Sequence, residues 1–188
     1  MTELPERDIA LVGDVYVDLL AKVDELPVWG EDRLASTTLL SPGGSTANTA
    51  RFLGALPGSR ARLFSATGTD AFGAYFRQEV ASEGSVETAG SLTELEGIPT
   101  AVCIVLSGSQ DRGFVSCNSS NAAIIASSFD RALLVQHKHV HIGGFFNLPG
   151  LHTAEFVELV ASLSKAGLTL SLDSQFDVSG QWTGRGML

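Results

Sequence analysis

Apolar residues along this chain fall into short continuous runs separated by longer stretches of helical period. Ile9-Ala-Leu-Val12 is such a run, closed by Gly13, and reads as a strand buried on both faces. Residues 62–66, 139–142 and 168–172 read the same way, and the last two end at Gly143-Gly144 and at Asp173. Helical spacing predicts a helix over residues 45–56, with Ala47, Ala50, Leu53 and Leu56 recurring on one face. Asp70 is a good N-cap for a second helix with Phe72, Phe76 and Val80 on one face and Gly84 just past its end. Residues 127–135 form a third predicted helix. Residues 153–166 form a fourth, with Phe156, Leu159, Val160 and Leu163 inward and Gly167 as its stop. Strands alternating with helices predict an α/β fold of three layers, a mainly parallel sheet flanked by helices.

Two stretches break the alternation. Residues 33–40 are Thr/Leu-rich and predict an extra strand. Residues 100–106 and 113–117 predict a β-hairpin around Ser107-Gly-Ser-Gln-Asp-Arg112. No helix separates these pieces, so they are expected to form a small separate sheet. A small sheet over the strand ends would act as a lid, drawn from residues 15–41 and 98–118. No internal repeat or long linker divides the chain, so residues 1–188 form one unit. Gly180-Gln-Trp-Thr-Gly-Arg-Gly-Met-Leu188 stops in a glycine-rich loop just after a strand. A parallel sheet would continue there with a crossover helix, so the chain is expected to be truncated at its C-terminus.

Composition narrows the function. The 188 residues carry a net charge of −9 and no Lys/Arg cluster, which argues against nucleic acid and against an anionic membrane surface. No apolar run approaches the roughly 20 residues needed to span a bilayer, and the acidic, polar N-terminus is no signal peptide. Cys103 and Cys117 alone argue against a disulfide scaffold and for a reducing compartment, which makes a cytoplasmic location the expectation.

Open α/β sheets bind ligands at the carboxyl ends of their strands. Asp14 follows the first strand and Asp18 lies four residues on. Gly43-Gly-Ser-Thr-Ala-Asn48 opens a helix, where the glycines allow close approach, Ser45 can cap and Asn48 both donates and accepts. Gly143, Gly144 and Asp173 end further strands. Carboxylates with an amide suit a polyol. Taken singly, Asp14 and Asp18 serve equally well as turn and surface residues, and Gly-Gly-Ser before a helix as a plain capping loop.

Leu11-Val-Gly-Asp-Val-Tyr-Val-Asp18, Leu26-Pro-Val-Trp-Gly-Glu31 and Pro42-Gly-Gly-Ser-Thr-Ala-Asn48 resemble the start of ribokinase-like (PfkB-type) carbohydrate kinases. Thr67-Gly-Thr-Asp-Ala-Phe-Gly73 is similar to the family's G-x-D-x-x-G stretch. Asn121-Ala122 resembles the segment after its lid hairpin, and Leu172-Asp-Ser-Gln-Phe-Asp177 with Trp182 its mid-chain loop. The resemblance covers nearly the whole chain. It implies ATP-dependent phosphoryl transfer to a hydroxyl of a sugar or nucleoside, with Mg2+ as the accompanying ion. Asp18, Gly43, Gly44 and Asn48 match the family's sugar-binding positions; Asp14, Ser45 and Gly143 complete the expected acceptor set. Gly143 and Gly144 stand where some members have a substrate-contacting side chain, so their bareness leaves room for a larger substituent. The family's G-A-G-D motif, which carries the catalytic Asp, and its N-x-x-E stretch do not occur here. Catalytic residues are therefore expected beyond Leu188, no metal ligands are assigned, and the fragment alone is expected to be inactive. In some relatives the lid sheet pairs two subunits, which makes a homodimer a further expectation. The rival reading is a non-catalytic sugar-binding or subunit-pairing module derived from the same fold.

Other signals are weaker. His137, His139 and His141 alternate as on one face of a strand, but no Cys or acidic cluster joins them, so an exposed polar strand face is expected. Cys103 and Cys117 lie on facing hairpin strands and are expected to pack as small apolar side chains. No nucleotide P-loop or G-x-G-x-x-G occurs, which ranks a dinucleotide-dependent dehydrogenase low. Phe145 and Phe146 are expected in the core.

Overall fold

Strand β1 (Arg7–Gly13) lies at the centre of a parallel sheet because its apolar run can be buried only where both faces are covered. A computed structural model describes residues 7–180 and 182. The remaining strands are β2 (Tyr16–Lys22), β3 (Thr37–Gly43), β4 (Ser59–Gly68), β5 (Val86–Glu87), β6 (Leu92–Leu95), β7 (Val102–Ser107), β8 (Arg112–Cys117), β9 (His139–Gly143) and β10 (Thr169–Leu172). The helices are α1 (Ser45–Gly54), α2 (Ala71–Glu83), α3 (Ser119–Ala122), α4 (Arg131–Leu134) and α5 (Ala154–Lys165).

The main sheet has the order β10-β9-β1-β4-β5, with β6 also pairing with β4, and every pairing is parallel. Alternate residues of β1 divide between two cores. Ala10 and Val12 pack with Ile124, Leu134, Phe145, Phe156 and Leu163 on the α5 face. Leu11 packs with Ala47, Ala50, Phe76 and Val80 on the α1/α2 face. This is the expected three-layer α/β arrangement.

The second sheet has the order β3-β2-β7-β8. β2 is antiparallel to β3 and parallel to β7, and β7 and β8 form the expected hairpin. Here the structure differs from the sequence reading. β2 was not foreseen as a strand, and the extra strand predicted at 33–40 lies instead at Thr37–Gly43. β5 and β6 were also unforeseen, being too short to show a period.

Helix boundaries follow the capping chemistry. Asp70 accepts from Gly73 N (2.9 Å) and caps α2, while Gly84 ends it in the left-handed conformation. Phe72 is more exposed than expected, and Gly73 takes its place on the buried face. In α1 the inward row stops early, since Leu56 lies past the helix end and is exposed. Thr153 caps α5, whose buried row is Phe156 and Leu163. The third predicted helix, 127–135, is broken. Asp130 accepts from Ala132 N and Leu133 N and starts a separate α4, leaving a 3-10 turn at Ala126–Ser128.

Candidate functional site

The chain leaves the main sheet at Gly13 and enters the small sheet at Tyr16, so residues 13–15 join the two. Asp14 lies in that joint and is 1% exposed. A buried carboxylate needs donors, and Asp14 has three. Its Oδ1 accepts from the backbone N–H (3.0 Å) and the hydroxyl (3.1 Å) of Thr46, and its Oδ2 from Asn147 Nδ2 (2.9 Å). Thr46 stands in the first turn of α1, whose own N-cap position, Gly44, has no side chain to offer. The carboxylate at the end of β1 therefore caps α1 and meets its positive N-terminal end. Ser45, expected to cap this helix, instead donates to Asp173 Oδ2 (2.8 Å) beyond β10. Asp14 is thus occupied by protein donors.

Asp18 is different. It lies in β2 opposite Ser41 of β3 and Cys103 of β7. Its carboxylate rests against Gly43, where a Cβ would come within 2.1 Å of Oδ2. Only glycine admits that approach. Gly44, with φ 100°, turns the chain from β3 into α1 in a conformation that suits glycine. Among the described residues no donor bonds to the Asp18 carboxylate. Burial, and next the charge of Asp14, push it up to about 6. It is a half-buried acceptor without a protein partner.

Asn48 lies in α1, with its Oδ1 accepting from Arg51 Nη1 (3.3 Å). The same Arg51 nitrogen donates to Pro42 O (3.0 Å), and its Nε and Nη2 are held by Glu83. Arg51 therefore ties Asn48 to the residue before Gly43 and turns the amide so that Nδ2 has no protein acceptor among the described residues. The Asp18 carboxylate lies against Gly43 and the Asn48 N–H donates to Gly44 O (2.9 Å), so these four residues are linked through the turn from β3 into α1.

Gly143 and Gly144 do not leave spare room. A Cβ on Gly143 would fall 2.5 Å from Thr46 Oγ1, and one on Gly144 2.2 Å from Asp14 Cγ. The bare positions accommodate Thr46 and Asp14, and the expected space for a larger substituent is filled by protein. Asp173, beyond β10, accepts from Ser45 and Gln175. Its burial would raise its pKa, but hydrogen bonds from Ser45 and Gln175, with nearby His141, hold it below the usual carboxylate range.

A model of the pfkB family of carbohydrate kinases matches residues 6–183. The chain belongs to that family. Ribokinase from Giardia lamblia shares its fold with a TM-score of 0.79 at 20% identity, over 95% of this chain and 56% of that one. Arabidopsis thaliana ribokinase, complexed with ribose and ATP, gives 0.74 at 20% identity, over 90% and 54%. Fructokinase from Xylella fastidiosa gives 0.68 at 23% identity, over 89% and 52%. The pfkB-family chain thus spans about half the length of these proteins, and the likeness establishes a ribokinase-like sugar-kinase fold. A comparison with curated protein sequences found no match.

The family's G-x-D-x-x-G stretch is a clasp in this pfkB-family chain. Asp70 receives Thr100 N (2.9 Å) and Thr100 Oγ1 (2.5 Å), and Thr100 Oγ1 in turn receives Gly68 N (2.9 Å). It anchors the segment entering β7. Asn121 acts likewise at the joint: its amide donates to Val15 O (2.9 Å) and accepts from Val15 N (3.1 Å), pairing with the backbone as a strand would.

The histidines and cysteines differ from expectation. His137 lies outside β9, buried edge-on against Phe64. His139 and His141 share a face of β9, but it is half-buried, and both bond to Ser171 Oγ at 2.8 Å. Burial lowers the pKa of His141, which Asp173 partly opposes. Cys103 is buried beside Ser116 as expected, whereas Cys117 is exposed, with Sγ 3.0 Å from Ser119 Oγ. Phe145 is in the core, while Phe146 is half-buried and meets Trp182 edge-on.

Thr46, Asn118 and Asn147 escaped the sequence reading, and Asn121 was named only as part of a segment resembling the family. Thr46 lay inside the recognised glycine segment, and its hydroxyl was the available signal. Asn118 and Asn147 sit outside the regular strands and α-helices, where this residue is common for local turn chemistry alone.

Proposed function

We propose that the full natural protein is an ATP-dependent carbohydrate kinase that transfers the γ-phosphate to a hydroxyl of a sugar or nucleoside, and that this chain holds the acceptor. The carrying observation is the Asp18 carboxylate, lodged on Gly43 with no donor among the described residues, together with an Asn48 amide held by Arg51 one turn into α1. A polyol hydroxyl would donate to Asp18 and another would accept from Asn48 Nδ2, while the Gly43–Gly44 backbone lets the ring approach. The β3-β2-β7-β8 sheet, spanning the two segments expected to form a lid, would close over the acceptor and exclude water. Phosphoryl transfer rests on positioning and charge neutralisation, of which these residues serve acceptor positioning. Among the described residues no group of three or more His, Cys, Asp or Glu could hold a metal ion.

Two subsidiary proposals accompany this reading. The protein acts in the cytoplasm, in keeping with two unpaired cysteines and with no helix among the described residues being long and apolar enough to cross a membrane. It pairs through the small sheet, where Leu39, Ile104 and Val115 are exposed.

The test is calorimetry and ADP release on the full natural chain with ATP and D-ribose, D-fructose or adenosine. Binding with turnover supports the kinase. Binding without turnover favours the non-catalytic module, and no binding to any of them overturns both.

A further inference from the structure

We propose that Asn147 and Asn118 are positioning residues of the acceptor site, relaying the placement of strand β2 to the buried carboxylate of Asp14. The inference rests on the acceptor reading above. β2 carries Asp18, and α1 carries Asn48. The backbone between Asp14 and Asp18 is one link between these groups; a chain of side chains provides a second.

That chain begins at Tyr16, two residues before Asp18 on the same face of β2. The Tyr16 hydroxyl donates to Asn118 Oδ1 at 2.5 Å. Asn118 Nδ2 donates to the Asn147 carbonyl (3.4 Å). Asn147 Nδ2 donates to Asp14 Oδ2 (2.9 Å), and Asp14 Oδ1 holds Thr46 in the first turn of α1. Capping α1 needs only Oδ1. The Asn147 contact engages the second oxygen, which fixes the plane of the carboxylate and hence where its charge lies. That charge matters to the site, because it acts on both Asp18 and Tyr16. The titratable groups around Asp18 are Asp14 in the joint, Tyr16 on its own strand and Cys103 opposite it on β7.

The Asn147 turn is itself anchored away from the small sheet. Phe145 N donates to Asp173 O (3.2 Å) and Phe146 N to Ser174 O (3.1 Å). The relay thus runs from the rim of the main sheet to the first residue of β2. Loss of a link leaves Asp18 and Asn48 each in place but frees their mutual spacing. One acceptor molecule must bridge both, so acceptor binding weakens while groups that bind ATP are untouched.

The experiment uses the full natural chain with D-ribose and D-fructose as acceptors. Asn147→Leu keeps the volume and removes the donor. It is expected to raise the acceptor KM about tenfold, the worth of one lost hydrogen bond, with the ATP KM unchanged and the pH midpoint of acceptor binding displaced. Tyr16→Phe removes one hydroxyl at the far end of the relay and is expected to act in the same direction, by about threefold. Tyr16→Phe also decides the matter if Asn147→Leu fails to fold. An acceptor KM and pH midpoint equal to wild type in a folded variant overturn the relay. Equal rises in both KM values also overturn it, since they point to general loosening. Asp18→Asn separates the layers: if it abolishes acceptor binding while the relay variants match wild type, the acceptor site stands and the relay falls. If the wild type binds neither sugar, both fall.

Discussion

Asp14 at the end of β1 caps α1 through Thr46, accepting both its backbone N–H and its hydroxyl at 3.0 and 3.1 Å. A helix that opens on two glycines has no cap of its own, and a carboxylate from another segment supplies one. The glycines can then serve close approach to Asp18 and the turn into the helix. The cap and the proposed acceptor carboxylate are divided between two acidic residues four positions apart.

Removing the cap is expected to cost stability. Asp14→Ala strands the Thr46 N–H, the Thr46 hydroxyl and Asn147 Nδ2 in a buried setting. The loss should be about 2–4 kcal/mol, given typical costs for unsatisfied buried donors and lost caps. Urea unfolding at pH 7 measures it. Stability within about 0.5 kcal/mol of wild type, the range of neutral surface changes, would contradict the capping role.

Asp18→Asn is expected to weaken acceptor binding about 10- to 100-fold, the loss of a charged hydrogen-bond acceptor. Calorimetry with D-ribose or D-fructose on the full natural chain reads this directly, and unchanged affinity defeats the assignment. The same change should leave the fold as stable or slightly more so, because it removes a half-buried charge without a protein donor.

The pH dependence follows from the raised Asp18 value. The folded chain holds this proton more tightly than the unfolded one, about 6 against 3.8. The stability contributed by the group is therefore fully present below about pH 4 and is lost as pH rises through about 6. Acceptor binding runs the other way, strengthening as pH rises through about 6 and the carboxylate ionises. Titration of affinity between pH 5 and 8 checks this; a flat profile counts against Asp18 as the hydroxyl acceptor.

Asn121→Leu is expected to open the joint between the sheets. The amide satisfies both backbone groups of Val15, and its loss leaves them buried without those partners, at a cost of about 2–4 kcal/mol. Hydrogen exchange at the Val15 amide should accelerate more than exchange in β4. Equal acceleration everywhere would mean a global effect.

The proposed pairing through the small sheet predicts a dimer. Val115, 63% exposed on β8, is a suitable probe. Val115→Lys is expected to shift the mass measured by light scattering from dimer to monomer, and a monomeric wild type rules the pairing out.

The main strands, α1, α2 and α5 were legible because their signals are local: continuous apolar runs, a 3.6-residue period, Asp70, Gly84 and Gly167 at helix ends. β2 was not, because it passes from fully buried to half-exposed and shows no clean alternation. The helix expected over 127–135 failed where Asp130 captured two backbone N–H groups and restarted the chain. Asp18, Gly43, Gly44 and Asn48 were named from the segments that resemble the family, and their role as acceptor residues is the proposal made above.

The sequence by itself determined the layers and the helices α1, α2 and α5, which depend on neighbours within a few positions. Only the tertiary structure decided what each polar group does. Asp14 meets Thr46 across 32 positions and Asn147 across 133, and Ser45 meets Asp173 across 128. No local pattern records such pairings. Burial then does the sorting: the carboxylate enclosed with three donors becomes a structural cap, and the one left half-buried, with no donor among the described residues, is the proposed acceptor for a ligand.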